Sequence, residues 1–356
     1  MTKIFQLVIG CGECGTRLSQ LFYQKLGYHS IALNFNKDTE DENEHIKIIQ
    51  KGGTGRKKAL GRMWFNEHEK VIIDFVNKNI EKVEIEQKIK VQDILIISGE
   101  SGGAGSSISE ELRKRLSEKF NIFLLSVMPS QDEGAIFRSE SLKSLKRIRE
   151  ELNEDIIKGV FLISNEHVSK LYNKQLPPDK EFNDIIINNF IEIFKTINNK
   201  ELDFSRSYKF PDAGDFSTVL KLPIEILNND NNRGFFDIRK FKFSKKNVIE
   251  NSVFFENIDI STTKAYFGIL KIPREQEINV GKMFKEVDKR TSCEIPFKIV
   301  YYDETIEEPE MYVFLSGANI SKKLINEIQK IAKSKQTFND KIAKSKQIEN
   351  DVFDKL

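Results

Sequence analysis

Apolar and polar positions fall into long blocks along the first half of the chain. "KIFQLVIG" (3–10), "SIALNF" (30–35), "DILIISG" (93–99), "NIFLLSVMP" (121–129) and "IKGVFLIS" (157–164) are nearly continuous apolar runs of strand length, with a shorter one at "HIKII" (45–49). Runs of that kind belong to strands covered on both faces. Between them, residues 16–27, 62–83, 108–120 and 140–153 repeat apolar positions with a helical period. Strands alternating with helices predict an α/β fold around a parallel sheet. Residues 182–199, "FNDIIINNFIEIFKTINN", form one long apolar helix, too hydrophobic for a surface. Beyond it the pattern changes to strands at 265–272, 297–303 and 311–317 with a helix at 279–290, a smaller α+β region. The expected division is therefore a body over 1–181, a connecting helix over 182–200, an α+β domain over 201–329 and a tail over 330–356.

Composition narrows the class. The chain has 356 residues, 39% of them hydrophobic and 27 of them Phe, enough for a large core. It carries no apolar run of membrane-spanning length and no signal-peptide pattern, so a soluble, cytoplasmic protein is expected, with no membrane partner. A net charge of +2 excludes electrostatic capture of nucleic acid by the whole molecule, and no direct sequence-specific DNA binding is expected. Basic charge is concentrated in the tail, where "KIAKSKQ" recurs after 11 residues and places Lys333, Lys335, Lys341, Lys344 and Lys346 against one acid, Asp340. An 11-residue period keeps one helical face aligned. That face is either simply solvated or a docking strip for an acidic partner.

The chemistry is concentrated in glycine-rich turns. "LVIGCGECGTRL" contains both Cys11-x-x-Cys14 and Gly10-x-Gly12-x-x-Gly15. With no second C-x-x-C among three cysteines, and four histidines in no paired spacing, a zinc site is not supported and no metal-ligating residue is assigned. The glycine reading gains from two further turns, Gly52-Gly53-Thr54-Gly55 and Gly99–Ser107, the latter between a strand and a helix. Such turns let backbone amides point at phosphate oxygens, helped by the positive helix end. No Walker-type G-K-[ST] follows any of them. A dinucleotide enzyme would close its second strand with an acid, whereas here that strand ends in Asn34 and Asn36.

Taken in order, these turns resemble the tubulin/FtsZ superfamily of polymerising GTPases over residues 1–325. "IGCGECGTRL" is similar to the first phosphate loop, which would place Gly10, Cys11, Gly12 and Glu13 at the nucleotide. "IALNFN" resembles the strand bearing a nucleotide-proximal asparagine, here Asn34. "GGTGRKKALGR" resembles the γ-phosphate-sensing loop, with Gly53, Thr54 and Gly55. "SGGAGSS" resembles the signature GGGTGTG, giving Gly102, Gly103, Ala104, Gly105 and Ser106. The resemblance further implies Glu133 on the ribose, Asn165 on guanine, and Phe182, Asn183 and Asp184 at the base. "KFPDAGDFSTVLK" is similar to the family's loop after the central helix. By that likeness Asp212 and Asp215 would act in trans on the nucleotide of the next subunit in a head-to-tail filament. GTP and GDP are the implied ligands, with Mg²⁺ held mainly through phosphates and water.

The departures carry information too. Phe210 stands where the family's catalytic loop has an asparagine, Ala104 replaces a hydroxyl residue, and Arg138 lies one residue beyond the family's arginine. With the Lys-rich tail in place of a linker and docking peptide, the chain resembles the TubZ family of plasmid and phage partition filaments. That resemblance implies a bacterial host and a TubR-like, DNA-bound adaptor at the tail. A non-polymerising GTP-binding regulator and an FtsZ-like division protein are the other readings.

Overall fold

A computed structural model describes residues 4–35, 45–49, 54, 57–130, 135–172, 183–191, 234–243, 248–252, 255, 257–273, 279–291, 293, 295–302 and 306–326. The chain divides into two compact units, Met1–Asn319 and Ile320–Leu356. Of the second, residues 322–326 are helical, with Ser321 Oγ accepting from Leu324 N at 3.4 Å.

The first unit opens with β1 (Leu7–Cys11), α1 (Gly12–Leu26), β2 (Ser30–Asn34), β3 (Ile46–Ile48) and α2 (Lys58–Gln87). It continues with β4 (Asp93–Gly99), α3 (Gly103–Leu116), β5 (Asn121–Met128), α4 (Ala135–Asn153), β6 (Gly159–Ser164) and α5 (Asn165–Tyr172). Residues 183–191 form α6. The later elements are β7 (Phe235–Phe243), β8 (Val248–Ser252), β9 (Ile258–Asp259), β10 (Ala265–Ile272), α7 (Val280–Arg290), β11 (Ile295–Tyr302) and β12 (Glu310–Ile320).

Among the described residues the strands form one sheet, ordered β11-β10-β12-β7-β6-β5-β4-β1-β2-β3. From β3 to β7 every pairing is parallel, and β7, β12 and β10 then pair antiparallel. All positions of β1 and β2 are buried, as continuous apolar strands covered on both faces require. The expected α/β architecture is therefore present. The seam between the two β regions is narrow, two register pairs joining Val160 to Phe235 and Phe161 to Phe236. Aromatic packing closes it: Phe161, Phe236 and Phe314 stand within 4.9–5.7 Å of one another by ring centroid. Gly159 leaves the space that the Phe236 ring fills. On the far side, Phe284 and Val287 of α7 pack into a second core with Phe241, Tyr266, Leu270 and Met311.

The helices differ from the sequence expectation mainly at their starts. α1 begins at Gly12 rather than 16, and α3 at Gly103 rather than 108, so glycine segments read as turns are first helical turns. α3 also departs from amphipathic patterning, since Ser107, Ser109, Glu110, Glu111 and Arg113 are all buried. Neighbouring helices supply the opposite charges. Glu110 meets Arg62 of α2 at 2.7 Å and also Arg147 of α4, while Arg113 meets Glu151 of α4 at 2.6 Å. Glu110 and Arg113 are thus paired across helix interfaces, while Glu111 pairs with Lys114 and Arg115 along its own helix, and pairing is the condition under which a buried charge is tolerated.

Burial works against ionisation of Glu110, but Arg62, Arg147 and Lys114 outweigh it and hold the carboxyl below the ordinary value of 4.5. With the folded-state pKa depressed, the stabilisation is complete above 4.5 and is lost as pH falls through the lower folded value. Wild type is therefore expected to exceed Glu110→Gln in urea midpoint at neutral pH, and the gap should narrow as pH falls below 4.5. A gap that is constant across that range would show that the ion pairs contribute nothing to stability.

Candidate functional site

The carboxyl edge of the parallel strands brings the first and third glycine segments into backbone contact. Gly12 has φ +69°, a conformation open to glycine, and an added Cβ there would lie 2.6 Å from Gly105 N and Cα. The reverse contact is equally tight, a Cβ on Gly105 falling 2.7 Å from the Cys11 carbonyl oxygen. Behind them, Gly15 lets α1 approach the Ile97 carbonyl of β4, and Gly61 lets α2 approach the Gly103 carbonyl. Two helix N-termini are thereby held side by side. Neither has a side-chain cap: Cys11 and Gly102 occupy the N-cap positions without a side-chain hydrogen bond. Leading amides left in that state, at the positive end of two helices, suit an anion.

The side chains around this cradle are distributed unevenly. Ser106 Oγ donates to the Gly102 carbonyl, and Ser107 Oγ donates to the Gly103 and Ala104 carbonyls at 2.6 and 3.0 Å. Asn34, at the end of β2, is buried and accepts from Phe35 N at 2.8 Å, which fixes its amide orientation. Among the described residues nothing accepts from its Nδ2, an orphaned donor next to β1. Thr54 is buried, and its carbonyl accepts from Lys57 N at 3.0 Å just before α2. Glu13 points to solvent and pairs with Arg17. Cys11 is fully buried, and burial pushes its thiol well up, the opposite of what a reactive thiolate needs. Cys11, Cys14 and Cys293 are all free.

Asn165 is buried at the start of α5. Asp184 Oδ1 lies 2.8 Å from Lys25 Nζ in the last turn of α1. That end is about 20 Å along the helix from the glycine turn. Asn183 opens α6 beside it. Gly53, Gly55, Glu133, Phe182, Asp212, Asp215 and the tail lysines lie outside the described residues, and so does the side chain of Arg138.

Sequence reasoning passed over two groups near the cradle. Glu100 is buried directly before the α3 loop and accepts from Ser98 Oγ at 2.9 Å. Lys58, at the start of α2, reaches Ser144 of α4, and burial lowers its pKa against the pull of Glu100 and Glu140. Their only signal in the sequence was a charged residue beside a glycine turn, which equally describes a solvated loop.

A parallel sheet ordered β3-β2-β1-β4-β5-β6, with glycine-cradled helix starts at its carboxyl edge and a second β region beyond a central helix, is the tubulin/FtsZ-superfamily fold. No family model matches the chain. By sequence it is 22% identical over 318 residues to the tubulin-like protein CetZ of Methanothrix thermoacetophila, covering 80% of each chain. By structure it is similar to TubZ of Bacillus thuringiensis serovar israelensis in a GTPγS-form protofilament, with TM-score 0.70, 17% identity and coverage of 96% of this chain and 95% of that one. It is also similar to CetZ2 of Haloferax volcanii in a GTPγS-bound protofilament, with TM-score 0.65, 15% identity and coverage of 94% and 99%. The likeness to TubZ thus stands beside one to CetZ, and the relatives matched by sequence are archaeal CetZ proteins rather than bacterial ones. Among the described residues no helix is long and apolar enough to cross a membrane.

Two substitutions separate backbone strain from close contact. Gly27 ends α1 at φ +67° with nothing near an added Cβ, whereas Gly12 combines a similar φ with the Gly105 backbone. Gly27→Ala is expected to cost about 1–2 kcal/mol, and Gly12→Ala roughly 2–5 kcal/mol, in urea denaturation. Equal losses would show that the two loops do not press on each other.

Proposed function

We propose that this chain is a GTP-binding, tubulin-like protein that assembles head to tail and hydrolyses GTP within the polymer. The observation that carries the reading is the Gly12–Gly105 contact, which sets two uncapped helix N-termini side by side. Phosphate oxygens there would accept from the leading amides of α1 and α3, including those of Gly12, Glu13, Gly103, Ala104 and Gly105. Asn34 Nδ2, a buried donor lacking an acceptor, would complete its hydrogen bonding on the nucleotide. Thr54, with Gly53 and Gly55, is assigned to the γ-phosphate, and Glu133 to the ribose. Asn165, Phe182, Asn183 and Asp184 are assigned to guanine, Asp184 also tying α6 to α1 through Lys25.

Hydrolysis needs a water in line with the γ-phosphorus, and Asp212 and Asp215 from the neighbouring subunit would orient it. The water oxygen bonds to phosphorus, the β–γ bridging bond breaks, GDP leaves with the electron pair, and the water proton passes to Asp215. Mg²⁺ bound with the nucleotide would offset charge on the β- and γ-phosphates.

The finer role, plasmid or phage DNA partition through an adaptor at Lys333, Lys335, Lys341, Lys344 and Lys346, is supported by the likeness to TubZ and by the tail repeat. The CetZ relatives make an archaeal filament the competing role. The division at 181, 200 and 329 is likewise proposed, with the β6–β7 seam inside it.

The test is GTP turnover with Mg²⁺ against protein concentration, beside sedimentation, for wild type and Asp215→Ala. Turnover per molecule should rise above a threshold concentration, and the variant should pellet with GTP yet turn over at least about 100-fold more slowly. A rate flat in concentration, unmoved by the substitution and without pelletable polymer, would sink the filament reading.

A further inference from the structure

α5 is only eight residues long and buries just Asn165 and Val168, so it has little stability of its own. Its position is set by what it is tied to. Ser164 Oγ accepts from His167 N at 3.1 Å, capping the first turn. The His167 ring then reaches across to the second β region, where Nε2 lies 2.7 Å from the backbone carbonyl of Ser252, the last residue of β8. A carbonyl can only accept, so this nitrogen carries the proton.

The far end of that bond is rigid. Ser252 Oγ donates to Asp237 of β7 at 3.0 and 3.2 Å and accepts from Phe255 N at 3.0 Å. Asp237 is buried with its Oδ2 2.5 Å from Arg239 Nε, and Arg239 Nη2 donates to the Ile258 carbonyl at 3.2 Å. A buried ion pair bonded to a hydroxyl and two backbone groups fixes one geometry, because any shift strands a charge away from water. Ser252 is therefore an anchor, and His167 is the link between it and the helix that presents Asn165.

We infer that His167 is a positioning residue for guanine recognition, holding Asn165 in register by its hydrogen bond to the Ser252 carbonyl. The inference rests on the reading of Asn165 as a base contact. It has a specific signature. The phosphate cradle is built from α1 and α3 and does not involve α5, so loosening α5 weakens contacts to the base and spares those to phosphate. Selectivity for GTP over ATP should fall while the phosphate half of the affinity stays.

The experiment measures binding of GTP, ATP and inorganic tripolyphosphate to the full chain as wild type, His167→Leu and His167→Gln, with thermal midpoints in parallel. His167→Leu is expected to lower the preference for GTP over ATP by about tenfold, the worth of one hydrogen bond, with tripolyphosphate binding unchanged. His167→Gln, whose amide can donate to the same carbonyl, should recover most of the preference. An unchanged preference in His167→Leu, or equal weakening of GTP and tripolyphosphate, overturns the inference even in a GTP-selective wild type. A wild type that binds GTP and ATP alike overturns the assignment of Asn165, and this inference with it.

Discussion

The contact between Gly12 and Gly105 sets the geometry on which the candidate site depends, because it brings two chain segments together by their backbones alone. Side chains at that junction would hold α1 and α3 apart by at least the thickness of a methyl group, and their N-termini would no longer lie side by side. The same economy recurs at Gly15 against β4 and at Gly61 against the start of α3. Three helices thus converge on one edge of the sheet with little side-chain material between them, and the first turns of α1 and α3 are left without side-chain caps.

Behind this apolar-poor junction the structure is stabilised by charge. α3 begins at the cradle and passes between α2 and α4, and along that path its polar residues are buried against them. Arg62, Glu110 and Arg147 join three helices at one carboxylate, and Arg113 with Glu151 adds a second joint. The anion cradle therefore sits on a frame whose stiffness comes from paired charges. Further along the sheet the frame becomes aromatic, with Phe161, Phe236 and Phe314 closing the narrow seam.

What was legible in the sequence followed from local rules. β1, β2, β4, β5 and β6 appear where continuous apolar runs predicted them, because burial on both faces leaves no polar position to blur the pattern. The early starts of α1 and α3 were not legible, since glycine is a poor helix former and only tertiary contact makes it useful in a first turn. α5 was missed as a helix because "NEHVSKLY" is short and mostly polar, and its hold is the long-range contact of His167 with Ser252. The burial of Glu110 and Arg113 was equally hidden, for a charged helix reads as a surface helix until its counter-charges are located on other helices. At the site, Asn34 and the glycine turns could be picked out by spacing. Their mutual placement could not, and neither could the pairing of Asp184 with Lys25 at the other end of α1.

The carboxylate shared by Arg62 and Arg147 has a consequence for how this sequence can change over generations. Neutralising Glu110 alone takes from two half-buried guanidinium groups the one carboxylate they share, whereas losing either arginine leaves that carboxylate paired with the other. The three positions, 48 and 37 residues apart along the chain, are thereby coupled, and the carboxylate is the corner whose loss touches both partners at once. A change at position 110 is therefore expected to be borne more easily in a background where one of the two arginines has already been replaced.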